Sequence, residues 1–164
     1  MRKRPAVRGL RRHGGAAVVE FAFVFPILFM LTYGAVVYSY AYVLRQSLTF
    51  AAQEAAEAAV DIDPTDQSAA DYKGAVTSSA TATAVAVVAW MPERLRSGMG
   101  TSVQLCSEGG GGTACPSNGG DAVVVTLTLP LTGNSQLFAT MNLPFVGTFP
   151  PLPATMTAQA TARV

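Results

Sequence analysis

Between Glu20 and Arg45 the chain runs through 24 residues, FAFVFPILFMLTYGAVVYSYAYVL, without one charged side chain. As an α-helix this run extends about 36 Å, more than the roughly 30 Å hydrocarbon core of a bilayer. It therefore predicts a membrane-spanning helix. Arg2, Lys3, Arg4, Arg8, Arg11 and Arg12 all precede it, and no acid lies among them. From Ala16 onward the balance reverses, with five basic and ten acidic residues. Positive charge concentrated on one flank places the N-terminus in the cytoplasm and the remainder outside, a single-pass arrangement. Tyr38, Tyr40 and Tyr42 fall at the outer end, where phenol rings suit the headgroup region. A cleaved secretory signal also begins with a basic head and an apolar core, and Tyr40 and Ala41 lie near a plausible cutting site. The apolar stretch here is about twice the usual length of such a core.

Glu20 stands at the start of the apolar run, where an ionisable group is costly unless it reaches the interface or finds a partner. Its surroundings are Gly14-Gly15-Ala16-Ala17-Val18-Val19-Glu20-Phe21. This stretch resembles a type IV prepilin-type processing site. More closely, RRHGGAAVVEFAFVFPILFMLTYGAVVYSYAYVLRQSLTFAAQEAAEAA resembles the TadE/TadG-like minor pseudopilins of the tight-adherence (Tad, or Flp) pilus system. The resemblance implies a basic leader, residues 1–15, removed by a membrane prepilin peptidase between Gly15 and Ala16. Glu20 then becomes the fifth mature residue, with the aromatic Phe21 after it. It also implies a pilin-like α+β fold in which a long N-terminal transmembrane helix extends into a second helix and a small antiparallel sheet. Major pilins of this system usually carry Glu-Tyr at the motif and are little more than one helix. Glu20-Phe21 and the length of 164 residues favour a minor component.

The chemistry of these positions is simple. Glycine before the cut lets a peptidase approach the backbone without a side chain in the way. A glutamate one turn into the mature helix suits pairing with a neighbouring subunit's free ammonium inside the membrane, the role the resemblance assigns to Glu20. Pro26 removes one backbone hydrogen bond from the apolar helix and predicts a kink.

Beyond the bilayer the helix is expected to continue from Arg45 to about Val60, because Leu48, Ala51, Ala52, Ala55 and Ala59 share one face. Gln46, Thr49, Gln53 and Glu57 lie opposite, and Phe50 projects from that polar side. These spans give a transmembrane and emergent helix over 16–60 and an extracytoplasmic α+β domain over 61–164. Asp61-Ile62-Asp63-Pro64 ends the first helix, and Thr65 or Asp66 is placed to cap a second one running to about Trp90. Pro92 would stop that helix, with Trp90 and Met91 anchoring its end to the core.

Cys106 and Cys115 flank the run Gly109 to Gly112, and outside the cytoplasm they predict a disulfide closing a flexible loop. No second cysteine pair or histidine is placed to complete a zinc site. Alternating apolar and threonine residues predict strands at 101–106, 122–129 and 154–164, in a sheet of three or four strands. Between the last two, Pro130, Pro144, Pro150, Pro151 and Pro153 occur with Leu137, Phe138, Leu143, Phe145, Val146 and Phe149. Apolar residues in such a loop either cover a sheet face or form a patch for a partner.

An enzyme needs a constellation, and the chain offers little. His13 lies in the leader, so no histidine base is expected in the mature chain. Asp61, Asp63, Asp66 and Asp71 cluster at a helix junction, but DIDPTD lacks the glycine and terminal glutamate of a calcium loop, so capping and solvation account for them. The four glycines have no Gly-Lys-Ser/Thr after them, which argues against a phosphate cradle. Nucleic acid is not an expected partner, because basic residues concentrate in the leader. The expectations are thus no catalytic or metal residues, no cofactor and no small-molecule substrate. The expected partners are the membrane, a prepilin peptidase and other Tad pilins or pseudopilins. An uncleaved single-pass anchor whose outer domain binds an envelope partner is the alternative.

Overall fold

The computed structural model describes residues 14–65, 67–107, 115, 120–133, 138–143 and 147–163. Two units divide between Tyr38 and Ser39. Helix α1, Gly14–Val60, contributes to both. In the first unit its side chains from Gly15 to Phe29 are exposed. The helix is long and apolar enough to cross a membrane, with mean hydropathy 2.1 over its best window. Pro26 lies inside it without ending it. Thr32 satisfies its own hydroxyl by donating to the Leu28 carbonyl at 2.9 Å, so the polar group needs no outside partner. Phe21, Phe25, Phe29 and Tyr33, each four residues from the next, stack in a ladder with ring centroids 5.3, 6.2 and 6.0 Å apart.

The second unit is the α+β arrangement expected of the sequence, made of the end of α1, a second helix and a small antiparallel sheet. Leu44, Leu48, Ala51, Ala52, Ala55, Ala56 and Ala59 are buried along one face of α1, while Gln46, Phe50, Gln53 and Glu57 are exposed. This is the face the helical spacing predicts, with Phe50 on the polar side. Alanines allow close helix approach, and the Ser79 hydroxyl of α2 (Ala69–Val87) donates to the Ala58 carbonyl of α1 at 3.1 Å. Val76, Ala80, Ala84 and Val88 form the buried row of the second helix.

The start of α2 differs from expectation. Ser68 is its cap, accepting from the Asp71 backbone N–H at 3.2 Å and donating to the Asp71 carboxylate at 2.5 Å. Thr65 instead belongs to the preceding turn, its backbone N–H donating to Asp63 Oδ1 at 2.8 Å and its hydroxyl bonding the same oxygen. The hydroxyl and the N–H of Thr65 together hold the Asp63 carboxyl below the usual aspartate range. Asp66 lies outside the described residues.

The end of α2 also departs from the sequence reading. Helix geometry stops at Val87, and Trp90 is 52% exposed rather than anchored in the core. Extending the buried row from Val88 by three positions gives Met91, which is buried, whereas Trp90 falls off that face. Pro92 does not end the helical region. It precedes a short turn of helix, α3 (Glu93–Arg96), which seats Leu95 in the core.

The sheet has the order β1-β2-β5, antiparallel throughout, from Gly100–Cys106, Ala122–Pro130 and Thr155–Arg163. Alternation sorts its faces. Val123, Val125, Leu127 and Leu129 of the central β2 point into the helix-covered core, joined by Ala158. Ala122 and Val124 point the other way and are buried as well. The proline-rich stretch contains a hairpin that the sequence did not reveal, β3 (Met141–Leu143) with β4 (Gly147–Phe149). Gly147 enters β4 at φ +83°, a conformation that favours glycine. The Leu131 N–H donates to the Ala154 carbonyl at 2.8 Å and draws the two ends of this stretch together.

Candidate functional site

The candidate site is the first two turns of α1. Gly15 and Ala16 lie in the opening turn, both exposed, and Glu20 and Phe21 follow on the next. A methyl group at Gly15 would meet nothing within 4 Å. Glycine within a helix costs about 1 kcal/mol relative to alanine. Among the described residues nothing gives a steric reason to bear that cost at Gly15.

Glu20 is exposed, and among the described residues it has no hydrogen-bond or ion partner. Helical spacing puts it on one face with Ala16, Ala17, Phe23 and Val24, while Phe21 begins the aromatic ladder on an adjacent face. An exposed carboxylate at the head of a membrane-length apolar helix is costly unless it reaches the interface or finds a partner. Ala16 precedes Glu20 by four residues, so a terminus created at Ala16 would carry its ammonium one turn from the carboxylate along the helix.

The comparison with known families decides what this helix resembles. Residues 15–57 match the TadE-like protein family. The match covers 43 of the 164 residues, and all of them belong to α1. It is consistent with a TadE-like Tad pilus protein. The TadE-like family is a structural pilus family rather than an enzyme family. No curated protein and no solved structure matches the chain. The TadE-like segment includes Gly15, Ala16, Glu20 and Phe21, whereas both cysteines lie beyond it.

Those cysteines form a disulfide, with Cα atoms 5.7 Å apart. Cys106 ends β1 opposite Ala122, and the bond sets Cys115 against Ala122 and Val124 on the face of the sheet away from the helices. Gly109 to Gly112 and Gly119 lie outside the described residues, as do the basic residues of the leader and His13. The sequence missed one placement in the TadE-like segment. Tyr40 does not stand with Tyr38 and Tyr42 as an exposed belt: it is half-buried, edge-on to Phe138 at 5.4 Å between ring centroids. A two-residue step on a helix turns about 200°, which separates Tyr40 from its neighbours and is readable from spacing alone.

Proposed function

We propose that the chain is a TadE-like minor pseudopilin. It sits in the cytoplasmic membrane with its N-terminus inside, is cut between Gly15 and Ala16 by a prepilin peptidase, and acts in initiation or assembly of a Tad/Flp pilus for adhesion or secretion. One observation carries this reading. The TadE-like match begins at Gly15, in the opening turn of a membrane-length helix that holds at its head an exposed Glu20 with no partner among the described residues. A glycine that the fold itself does not require fits recognition by an enzyme acting on the backbone.

Peptidases take extended substrate, so the cut requires the first turn of α1 to open, and helix ends fray at little cost. Ala16 then supplies a free ammonium. Glu20 gains by pairing with the ammonium of a neighbouring subunit, because a lone carboxylate in hydrocarbon is costly. Residues 1–15 act as leader, 16–60 as the transmembrane and emergent helix, and 61–164 as the extracytoplasmic domain. Partners on this reading are the peptidase and other Tad pilins or pseudopilins.

The test is the N-terminus and intact mass of membrane-extracted protein from cells with and without the peptidase. A chain beginning at Ala16 only when the peptidase is present is the expected result. An original N-terminus in both strains would favour an uncleaved anchor whose outer domain binds an envelope partner. A start near Val43 would mean an ordinary secretory signal. In the same cells Glu20→Ala should be cut normally but fail to support pili, and normal piliation would remove the pairing role.

A further inference from the structure

The apolar run of residues 21–44 is longer than a bilayer needs. At 1.5 Å per residue it exceeds the roughly 30 Å hydrocarbon core by about 6 Å, or about four residues. At the outer end of the run, Tyr40, Ala41 and Leu44 do not merely extend into water. They form one wall of a cleft that lies wholly within the second unit, completed by the proline-rich stretch through Phe138, Pro150 and Leu152.

The cleft has a volume of about 450 Å³, within the ordinary range of small-molecule sites. An apolar cavity of about 150 Å³ accommodates benzene, so this space admits a chain of about eighteen carbon atoms. Leu44 and Pro150 are buried at its floor, and Tyr40, Phe138 and Leu152 are half-buried along its sides. Thr132, Thr140 and Thr148 are exposed at its rim. Among the described residues no Asp, Glu, Lys, Arg or His lines it. A charged ligand would lose hydration there without gaining a partner, whereas a hydrocarbon chain loses nothing.

We propose that this cleft holds one acyl chain of a bilayer phospholipid. The ligand class follows from the uncharged lining and the volume. The source follows from continuity, since the wall formed by Tyr40, Ala41 and Leu44 is the outer end of the same apolar run that enters the membrane. The proposal rests on the reading of that run as membrane-spanning. Occupancy would tie the proline-rich stretch, and through it the sheet, to the membrane surface.

The test uses the full chain in phosphatidylethanolamine and phosphatidylglycerol vesicles doped with a phospholipid carrying a photoreactive group at the end of one acyl chain. After irradiation, adducts are mapped by peptide mass spectrometry. Adducts are expected at residues 138–140 and 150–153 as well as along 21–36. Ala41→Trp, which fills the cleft, should lower the loop adducts at least tenfold and leave those along 21–36 unchanged. Thr148→Lys, at an exposed rim position that the fold tolerates, should lower them several-fold and guards against misfolding of the first variant.

Adducts along 21–36 with none in the loop would overturn the proposal, as would loop adducts that neither variant reduces. Absence of adducts along 21–36 would instead overturn the membrane-spanning reading, and the proposal with it. Cross-linking of two chains through a photoreactive residue replacing Leu152, with the loop free of lipid adducts, would mean that a second copy fills the cleft and would overturn the lipid proposal.

Discussion

Gly15 and Gly100 are both glycines at element starts, and the structure separates their reasons. A side chain at Gly15 meets open space, so Gly15→Ala should leave the fold intact and stabilise the first turn of α1 by about 0.5–1 kcal/mol. It should nonetheless slow or block maturation, visible as retention of the unprocessed mass when the peptidase is present. Unchanged maturation would count against the processing site. Gly100 is different, because a Cβ there would come within 2.6 Å of Thr128 Oγ1, its cross-strand partner. Gly100→Ala should cost about 1–3 kcal/mol, as overpacking does. Thr128→Ala in the same chain should recover most of that loss, since it removes the clashing hydroxyl at an exposed position. Thermal unfolding of the two single variants and the double variant, followed by circular dichroism, would measure the coupling.

Alanine faces set how the helices approach. Ala51, Ala52, Ala55 and Ala59 of α1 are completely buried, and the Ser79 to Ala58 hydrogen bond fixes the second helix close by. A larger side chain has no room to enter a contact of that kind. Ala55→Leu should therefore destabilise the second unit by about 1–3 kcal/mol or more, whereas Gln53→Leu, on the exposed face, should change stability by about 0.5 kcal/mol or less. Comparing the two melting temperatures is sufficient. Equal effects would mean that the alanine face does not set the spacing. The aromatic ladder from Phe21 to Tyr33 is the counterpart in the first unit, where large side chains stack along an exposed helix instead of yielding to a close neighbour.

For the whole molecule, the sheet is covered by different means on its two faces. Helices and an extensive apolar core cover one face through Val123, Val125, Leu127 and Leu129. The Cys106–Cys115 bond covers part of the other, over Ala122 and Val124. A crosslink can compensate for a small core by restricting the unfolded chain. Reduction should cost about 2 to 3 kcal/mol in the chain-entropy model and expose Val124, lowering the unfolding midpoint in the presence of reductant. An unchanged midpoint would mean that the bond contributes no stability to the folded chain.

The membrane-length helix, the TadE-like stretch along it, the buried alanine face and the three sheet strands were all legible in the residues. Each is written in a local period or in contiguous composition, and so needs no knowledge of what lies nearby. Two departures are also local: Tyr40 lies about 200° around the helix from Tyr38 and Tyr42, and Trp90 falls beyond the last helical residue, Val87. Others could be settled only in three dimensions. That β2 lies between β1 and β5 and is buried on both faces depends on pairings between distant segments. The β3–β4 hairpin is hidden among prolines because each strand is three residues long, too short to show a period. The cleft brings Leu44 together with Phe138, Pro150 and Leu152 across about a hundred positions, and periodicity within a segment carries no information about such a meeting.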